Sequence, residues 1–235
     1  MIRYNILASG SSGNCTVIEN EIMLDSGVPF AALRPYIRTL RLCLLTHRHA
    51  DHFNEATIRA LARERPSLRF VCGSWLYDDL RGCSVVKAQI DRMVPGESAT
   101  YRAGDSRYVS GYTITMVPAV HSVPNAGYKL KFADGKRILY LTDTSDLSKI
   151  TAINYDLYLL EQNHTEEDIQ RRIDAKISSG EFSYEIYARE SHLSVEKAKA
   201  WLDKNIGPNS VVIPMHKHQM VGDGRYDANM PWRNR

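Results

Sequence analysis

No run of apolar residues in this 235-residue chain approaches the length needed to cross a bilayer, and 24% of the residues are charged. A membrane-spanning role is not expected. The opening stretch, MIRYNILASG, lacks the long apolar region and cleavage pattern of an export signal. Cysteine is scarce: Cys15, Cys43, Cys72 and Cys83 lie far apart, with no C-x-x-C pair. Reduced thiols and a cytoplasmic location are the simpler reading. Net charge is small, +3 from 30 basic and 27 acidic residues. That balance neither demands a nucleic-acid partner nor excludes one. No repeat or low-complexity linker divides the sequence, and 43% of it is hydrophobic, enough for a sizeable core. One α/β domain over residues 1–220 is expected, followed by an irregular tail over 221–235.

What the chain does have is an alternation of β-rich runs and helical patterns. Strands are expected at 3–7, 15–19, 21–24, 41–46, 69–72, 84–87, 112–118, 127–132, 137–142, 155–161 and 210–214. Helices are expected over 55–65, 74–81, 165–177, 183–190 and 194–205. Thr165 and Ser194 serve as N-caps, and Gly207-Pro208 as the stop of the last helix.

Residues 44–54 read LLTHRHADHFN. Within six positions, directly after an apolar run, stand His47, His49, Asp51 and His52. Imidazole and carboxylate are the usual ligands of zinc and related ions. His47 and His49 are placed to reach one ion from an extended segment, and Asp51 and His52 a second ion beside it. Two ions need further ligands. The chain offers His121 in VPAVHSVPN, Asp143 in LYLTDTSD, His192 in ESHLS, and His216 and His218 in VVIPMHKH. Singly each has an ordinary explanation: a helix cap, a loop residue, a surface residue. Their recurrence at expected strand-to-loop junctions, where α/β proteins build sites, points to a shared one.

These residues carry a resemblance. THRHADH resembles the signature of the metallo-β-lactamase fold, and MLDSG (23–27) resembles its upstream Asp-bearing strand end. LASGSSGNCTVIE (7–19), GYKLKF, LYLTDTSD, LLEQNH (159–164) and SHLS (191–194) are similar to the YycJ-like branch, near the RNase Z and RNase J phosphodiesterases. Departures are Ser191, where that branch has glycine before HLS, and KHQMVGDG in place of an Asn-rich stretch after the final histidine.

The resemblance implies a four-layer αββα sandwich and two divalent metal ions, zinc or alternatively manganese. It puts His47, His49 and His121 on one ion and Asp51, His52 and His216 on the other, with Asp143 bridging. It also makes His216 rather than His192 the ligand, leaving His192 to face substrate with Glu161 orienting its imidazole. Asp25 is implied as an inner support. The ASGSSGN loop, through Ser9, Ser11, Ser12 and Asn14, together with His164, is implied to meet the substrate.

Paired ions about 3.5–4 Å apart can share a water, lower its pKa toward neutrality and neutralise charge on phosphoryl oxygens. Asp51 would hold the attacking hydroxide, and His192 would serve as acid. The expected function is a metal-dependent phosphodiesterase or nuclease, an exonuclease on DNA or RNA among the options. Hydrolysis of a small ester, thioester, lactone or β-lactam is the alternative. A non-catalytic metal-binding module is disfavoured by the seven intact ligand candidates. Arg34, Arg38, Arg41 and Arg48 are candidates for a basic rim.

Overall fold

The computed structural model describes residues 2–101 and 111–217. His218 and the expected tail lie outside them.

The first sheet takes its strands in chain order: β1 (Tyr4–Ala8), β2 (Cys15–Ile18), β3 (Ile22–Leu24), β4 (Leu42–Leu45), β5 (Arg69–Gly73) and β6 (Ile90–Met93). β1, β2 and β3 pair antiparallel, and β3 through β6 pair parallel. The second sheet holds β7 (Ser98–Tyr101), β8 (Tyr112–Ala119), β9 (Asn125–Phe132), β10 (Arg137–Leu141), β11 (Leu157–Glu161) and β12 (Val211–Met215). Its order is β12-β11-β10-β9-β8-β7, antiparallel from β7 to β10 and parallel from β10 to β12. The helices are α1 (Glu55–Glu64), α2 (Tyr77–Gly82), α3 (Glu166–Ser178), α4 (Glu185–Ser191) and α5 (Val195–Leu202).

The parallel strands inside each sheet are largely apolar runs because both of their faces are covered. In β4, Leu42 and Leu44 point at the second sheet and meet Tyr128, Ile138, Tyr140 and Leu159. Cys43 and Leu45 point the other way, into a layer with Ile58, Leu61 and Leu80 of α1 and α2. In β10, Ile138 and Tyr140 face inward, whereas Leu139 and Leu141 pack with Ala198 and Leu202 of α5. The period-two alternation thus fills three apolar layers and produces the expected αββα sandwich. Each fully buried Leu or Ile contributes about 1.5–3 kcal/mol.

Asn54, Thr165 and Ser194 cap α1, α3 and α5 by accepting from the N–H of Thr57, Asp168 and Lys197. Two expectations fail. Residues 84–87 form no strand: Ser84 has φ 64°, and Val85 turns into the apolar layer beneath the first sheet. The strand comes instead at Ile90–Met93. Its polar Asp91 and Arg92, like the sequence of β7, suit an edge and hide the strand from an apolar pattern. α5 ends at Leu202, ahead of Gly207, after which Asn205 closes the turn on the Leu202 carbonyl.

Strands β3, β4, β8, β10, β11 and β12 all deliver their carboxyl ends to one edge of the sandwich. The functional residues follow them there.

Candidate metal centre

Three loops interlock to carry HRHADH. Asn14 N–H donates to the Asp51 carbonyl (2.6 Å), Ser26 N–H to the His52 carbonyl (2.8 Å) and Gly27 N–H to the Asn14 carbonyl (2.9 Å). The contact is so close that a Cβ on Gly27 would lie 1.7 Å from the Asp51 carbonyl oxygen. Glycine is required there by sterics.

Asp25, Asp143 and His216, at or just past the ends of β3, β10 and β12, have φ of 57°, 53° and 51°. This left-handed backbone is costly for residues with a Cβ and concentrates at functional sites. It turns each side chain off the strand direction and in among the others.

Ring nitrogens converge. His47 Nε2 lies 3.1 Å from His49 Nδ1, and His121 Nε2 lies 3.3 Å from the same atom. The remaining nitrogens are tied. Thr46 Oγ1 donates to Asp25, so it accepts from His47 Nδ1 at 2.9 Å. His121 Nδ1 donates to the Ser191 carbonyl at 3.1 Å. His47 and His121 therefore turn bare Nε2 lone pairs toward one point, an arrangement that a cation satisfies. Burial and the neighbouring His52 push His47 down to about 2, which keeps its imidazole neutral and able to ligate.

A second convergence lies alongside. Asp51 Oδ2 is 3.3 Å from both His52 Nε2 and His216 Nε2. Asp143 stands between the two groups: its Oδ2 is 2.9 Å from His52 Nε2, and its Oδ1 is 3.8 Å from His121 Nε2 and 3.6 Å from His216 Nε2. Asp143 Oδ2 is buried, with His52 Nε2 as its close neighbour and no hydrogen bond of good geometry. Asp25 takes His52 Nδ1 at 2.7 Å, Tyr140 Oη at 2.8 Å and Thr46 N–H at 2.9 Å. Asp25, Asp143 and Glu161 are buried, with Asp51 beside them, so the pocket needs positive charge. Burial opposes charge on His216, but Asp143 and Asp51 raise it to about 10. His52 likewise is raised by Asp143 and Asp25 against the effect of burial. A divalent ion fits this donor set of imidazoles and carboxylates, and entering it must displace those protons.

His192 and His216 stack, centroids 5.0 Å apart, and both Nδ1 atoms face Glu161 Oε1, at 2.7 and 3.3 Å. Each also comes within 3.6 Å of Asp143 Oδ1, so distance to the bridge does not separate them. His216 joins Asp51 and His52 in one close group of donor atoms, and His192 and His216 both join Asp143 and Glu161 in another; the His192 atom nearest Asp143 is the Nδ1 already held by Glu161. Glu161 is buried. Burial raises its pKa, but hydrogen bonds from His192 and His216 lower it further, and it also accepts from the N–H of Thr144 and Leu193.

Over these residues opens a cavity of about 720 Å³, whose lining includes Ser11, His49, Asp51, His192, Lys217 and Tyr187. Of the expected substrate contacts, Ser11 faces it. Asn14 is fully buried, with its Nδ2 3.1 Å from Asp51 Oδ2 and 2.8 Å from His52 Nε2. Ser9 Oγ accepts from His216 N–H at 2.8 Å. Ser12 is exposed away from the cavity, and His164 is buried behind Asn163, which lines the cavity in its place. None of the four rim arginines lines it; Arg41 and Arg48 pair with Glu21 and Asp79. Sequence reasoning missed Thr46, Tyr140 and Asn163. Thr46 was findable as a hydroxyl adjacent to a ligand, whereas Tyr140 gives no local signal.

Residues 20–217 match the beta-lactamase superfamily domain. This chain belongs to that family. Exodeoxyribonuclease WalJ of Streptococcus pneumoniae is 24% identical over 224 residues, covering 87% of this chain and 77% of WalJ. The metallo-β-lactamase fold protein YhfI of Bacillus subtilis superposes with a TM-score of 0.67 at 16% identity, covering 93% of this chain and 87% of YhfI. The short form of human tRNase Z gives a TM-score of 0.63 at 14% identity over 93% of each chain. As a metallo-β-lactamase-fold hydrolase, the chain is expected to take up two divalent ions. Elemental analysis of protein purified without chelator should approach two equivalents, and saturation at one or none would refute the paired arrangement.

Proposed function

We propose that this chain is a metal-dependent phosphodiesterase that acts on nucleic-acid ends. The observation that carries the reading is His192: an imidazole over the cavity, hydrogen-bonded through Nδ1 to buried Glu161, and outside both the His47–His49–His121 and the Asp51–His52–His216 groups. Expulsion of an alkoxide from a phosphodiester calls for a positioned proton donor. Kinship with WalJ and the fold shared with tRNase Z support the same reading. His47, His49 and His121 would hold one ion and Asp51, His52 and His216 the other, with Asp143 within reach of both groups. Divalent ions there, zinc first and manganese second, supply Lewis-acid charge for phosphoryl oxygens and make an attacking water more acidic.

The chain's own groups do the rest. Glu161 keeps a proton on His192 Nδ1 and fixes the ring. Burial opposes charge on His192, but its bond to Glu161 raises its pKa overall, which favours the protonated ring and leaves Nε2 to face the cavity as donor. Asn14 and Thr46 hold Asp51 and His47 in place. Lys217, exposed at the rim, supplies a cation for the phosphate backbone. Described Cys15, Cys43, Cys72 and Cys83 are all free and buried, consistent with a cytoplasmic protein, and the domain is taken to run to residue 220.

Purified protein supplied with Zn²⁺ or Mn²⁺ should cleave bis(p-nitrophenyl) phosphate and end-labelled DNA or RNA, single- or double-stranded, in preference to a thioester. Robust thioester turnover without phosphodiester cleavage under either metal would replace this reading with that of a small-ester hydrolase.

A further inference from the structure

Among the described residues, the large hydrophobic side chains exposed to solvent are aliphatic except at one place. Phe182, Tyr184 and Tyr187 stand 73%, 65% and 56% exposed within six positions of each other. Elsewhere among the described residues tyrosine is half-buried or buried; Tyr128, Tyr140 and Tyr158 are fully buried with bonded hydroxyls. An exposed aromatic cluster leaves apolar area uncovered, and the fold gains nothing from it.

Its location is informative. Tyr184, Tyr187, Ala188 and Ser191 lie three, four and seven positions apart on α4 and the residue before it, so they share one helical face. That face lines the cavity, and the next residue is His192. The Phe182 and Tyr187 ring centroids are 5.9 Å apart with planes at 31°, and those of Tyr184 and Tyr187 are 6.5 Å apart at 38°. The three rings pack against one another, and Tyr184 and Tyr187 line the same cavity as His192. Polar groups that recognise one base by its edge are not what this surface offers; it offers π-faces.

Resting on the phosphodiesterase reading, we infer that Tyr184 and Tyr187 form a stacking subsite for an unpaired nucleobase next to the scissile phosphate, so that the substrate is a single-stranded nucleic-acid end. A base inside a duplex is already covered on both faces by its neighbours, whereas a free terminal base has a face to give. Stacking of this kind tolerates any base, because every base has a π-face. The backbone of the same strand would pass Ser11 and Lys217 on the opposite side of the cavity.

The test compares two end-labelled single-stranded oligonucleotides, identical except that one has abasic residues at its last two positions, with wild type, Tyr184→Ala/Tyr187→Ala and Tyr184→Phe/Tyr187→Phe. Wild type should prefer the base-bearing oligonucleotide by about 10- to 100-fold in kcat/KM. The preference should collapse in the double alanine variant, chiefly through KM, and return in the double phenylalanine variant, which keeps the rings and loses only the hydroxyls. A wild-type enzyme that cleaves both oligonucleotides equally well, or a double alanine variant that keeps the preference, overturns the subsite while leaving the phosphodiesterase reading standing. Failure of wild type to cleave either oligonucleotide removes that reading and the subsite with it. A dimer that dissociates in the double alanine variant without change in the preference would assign the aromatic face to a second copy of the chain instead.

Discussion

Asp143→Asn is expected to empty both ligand groups at once and to abolish hydrolysis with them. The carboxylate lies within 2.9–3.8 Å of His52, His121 and His216, which belong to different groups, and it has a buried oxygen with no hydrogen bond to lose. Removing its charge takes a ligand from each ion and leaves His52 and His216 without the carboxylate that compensates them. Loss of an outer partner alone costs about 10- to 100-fold in metal affinity, so loss of a shared ligand should exceed about 100-fold at each site. Asparagine is the right replacement because Asp143 has φ 53°, a conformation asparagine tolerates and alanine does not. Alanine would mix a backbone penalty of about 1–2 kcal/mol with the lost ligand. Metal content by elemental analysis, beside a thermal melt, reads the outcome. Retention of both ions at full occupancy would show that Asp143 is no bridge.

His192→Ala and His216→Asn should part company. His192→Ala is expected to keep both ions while turnover falls about 10²–10⁴-fold, the usual cost of a lost acid–base group. The defect should shrink on a p-nitrophenyl phosphodiester, whose leaving group needs little protonation. Glu161→Gln should reproduce it more mildly, since a neutral amide still orients the ring but stabilises its charged form less. His216→Asn, chosen for φ 51°, should bring metal content toward one equivalent and extinguish activity. His192 also ends α4, with its N–H on the Ala188 carbonyl. If capping is its whole role, His192→Ala lowers the melting temperature and spares turnover. Loss of an ion from His192→Ala, with both retained in His216→Asn, would exchange the two assignments.

What could be read from the sequence is what the chain keeps local. HRHADH supplies four coordinating side chains in one turn, and Asp143 and His216 follow apolar strands whose patterns are strong. The sandwich was legible for the same reason: Leu42 to Leu45 and Ile138 to Leu141 are buried on both faces and look it. What joins distant segments was not legible. The Tyr140 hydroxyl on Asp25 spans 115 positions, and the Ser191 contribution to His121 is a backbone carbonyl, which any residue would provide. Of the ASGSSGN loop, Ser11 faces the cavity, whereas Asn14 braces Asp51 and His52 from behind. Polar edge strands such as β6 and β7 have little apolar face to show.

The left-handed backbone at residues 25, 143 and 216 limits substitution there before any chemistry is considered. Glycine adopts such a φ freely, asparagine and aspartate with little loss, and β-branched residues hardly at all. A population of variants selected only for a folded chain would drift toward glycine and asparagine at these three places and gain stability by doing so. Selection for hydrolysis would pull the other way, toward Asp143 and His216 as candidate ligands and Asp25 as the partner that holds His52. The present Asp, Asp and His mark where the second pressure has prevailed, and a thermostabilised but inert relative would be recognised by glycine in their stead.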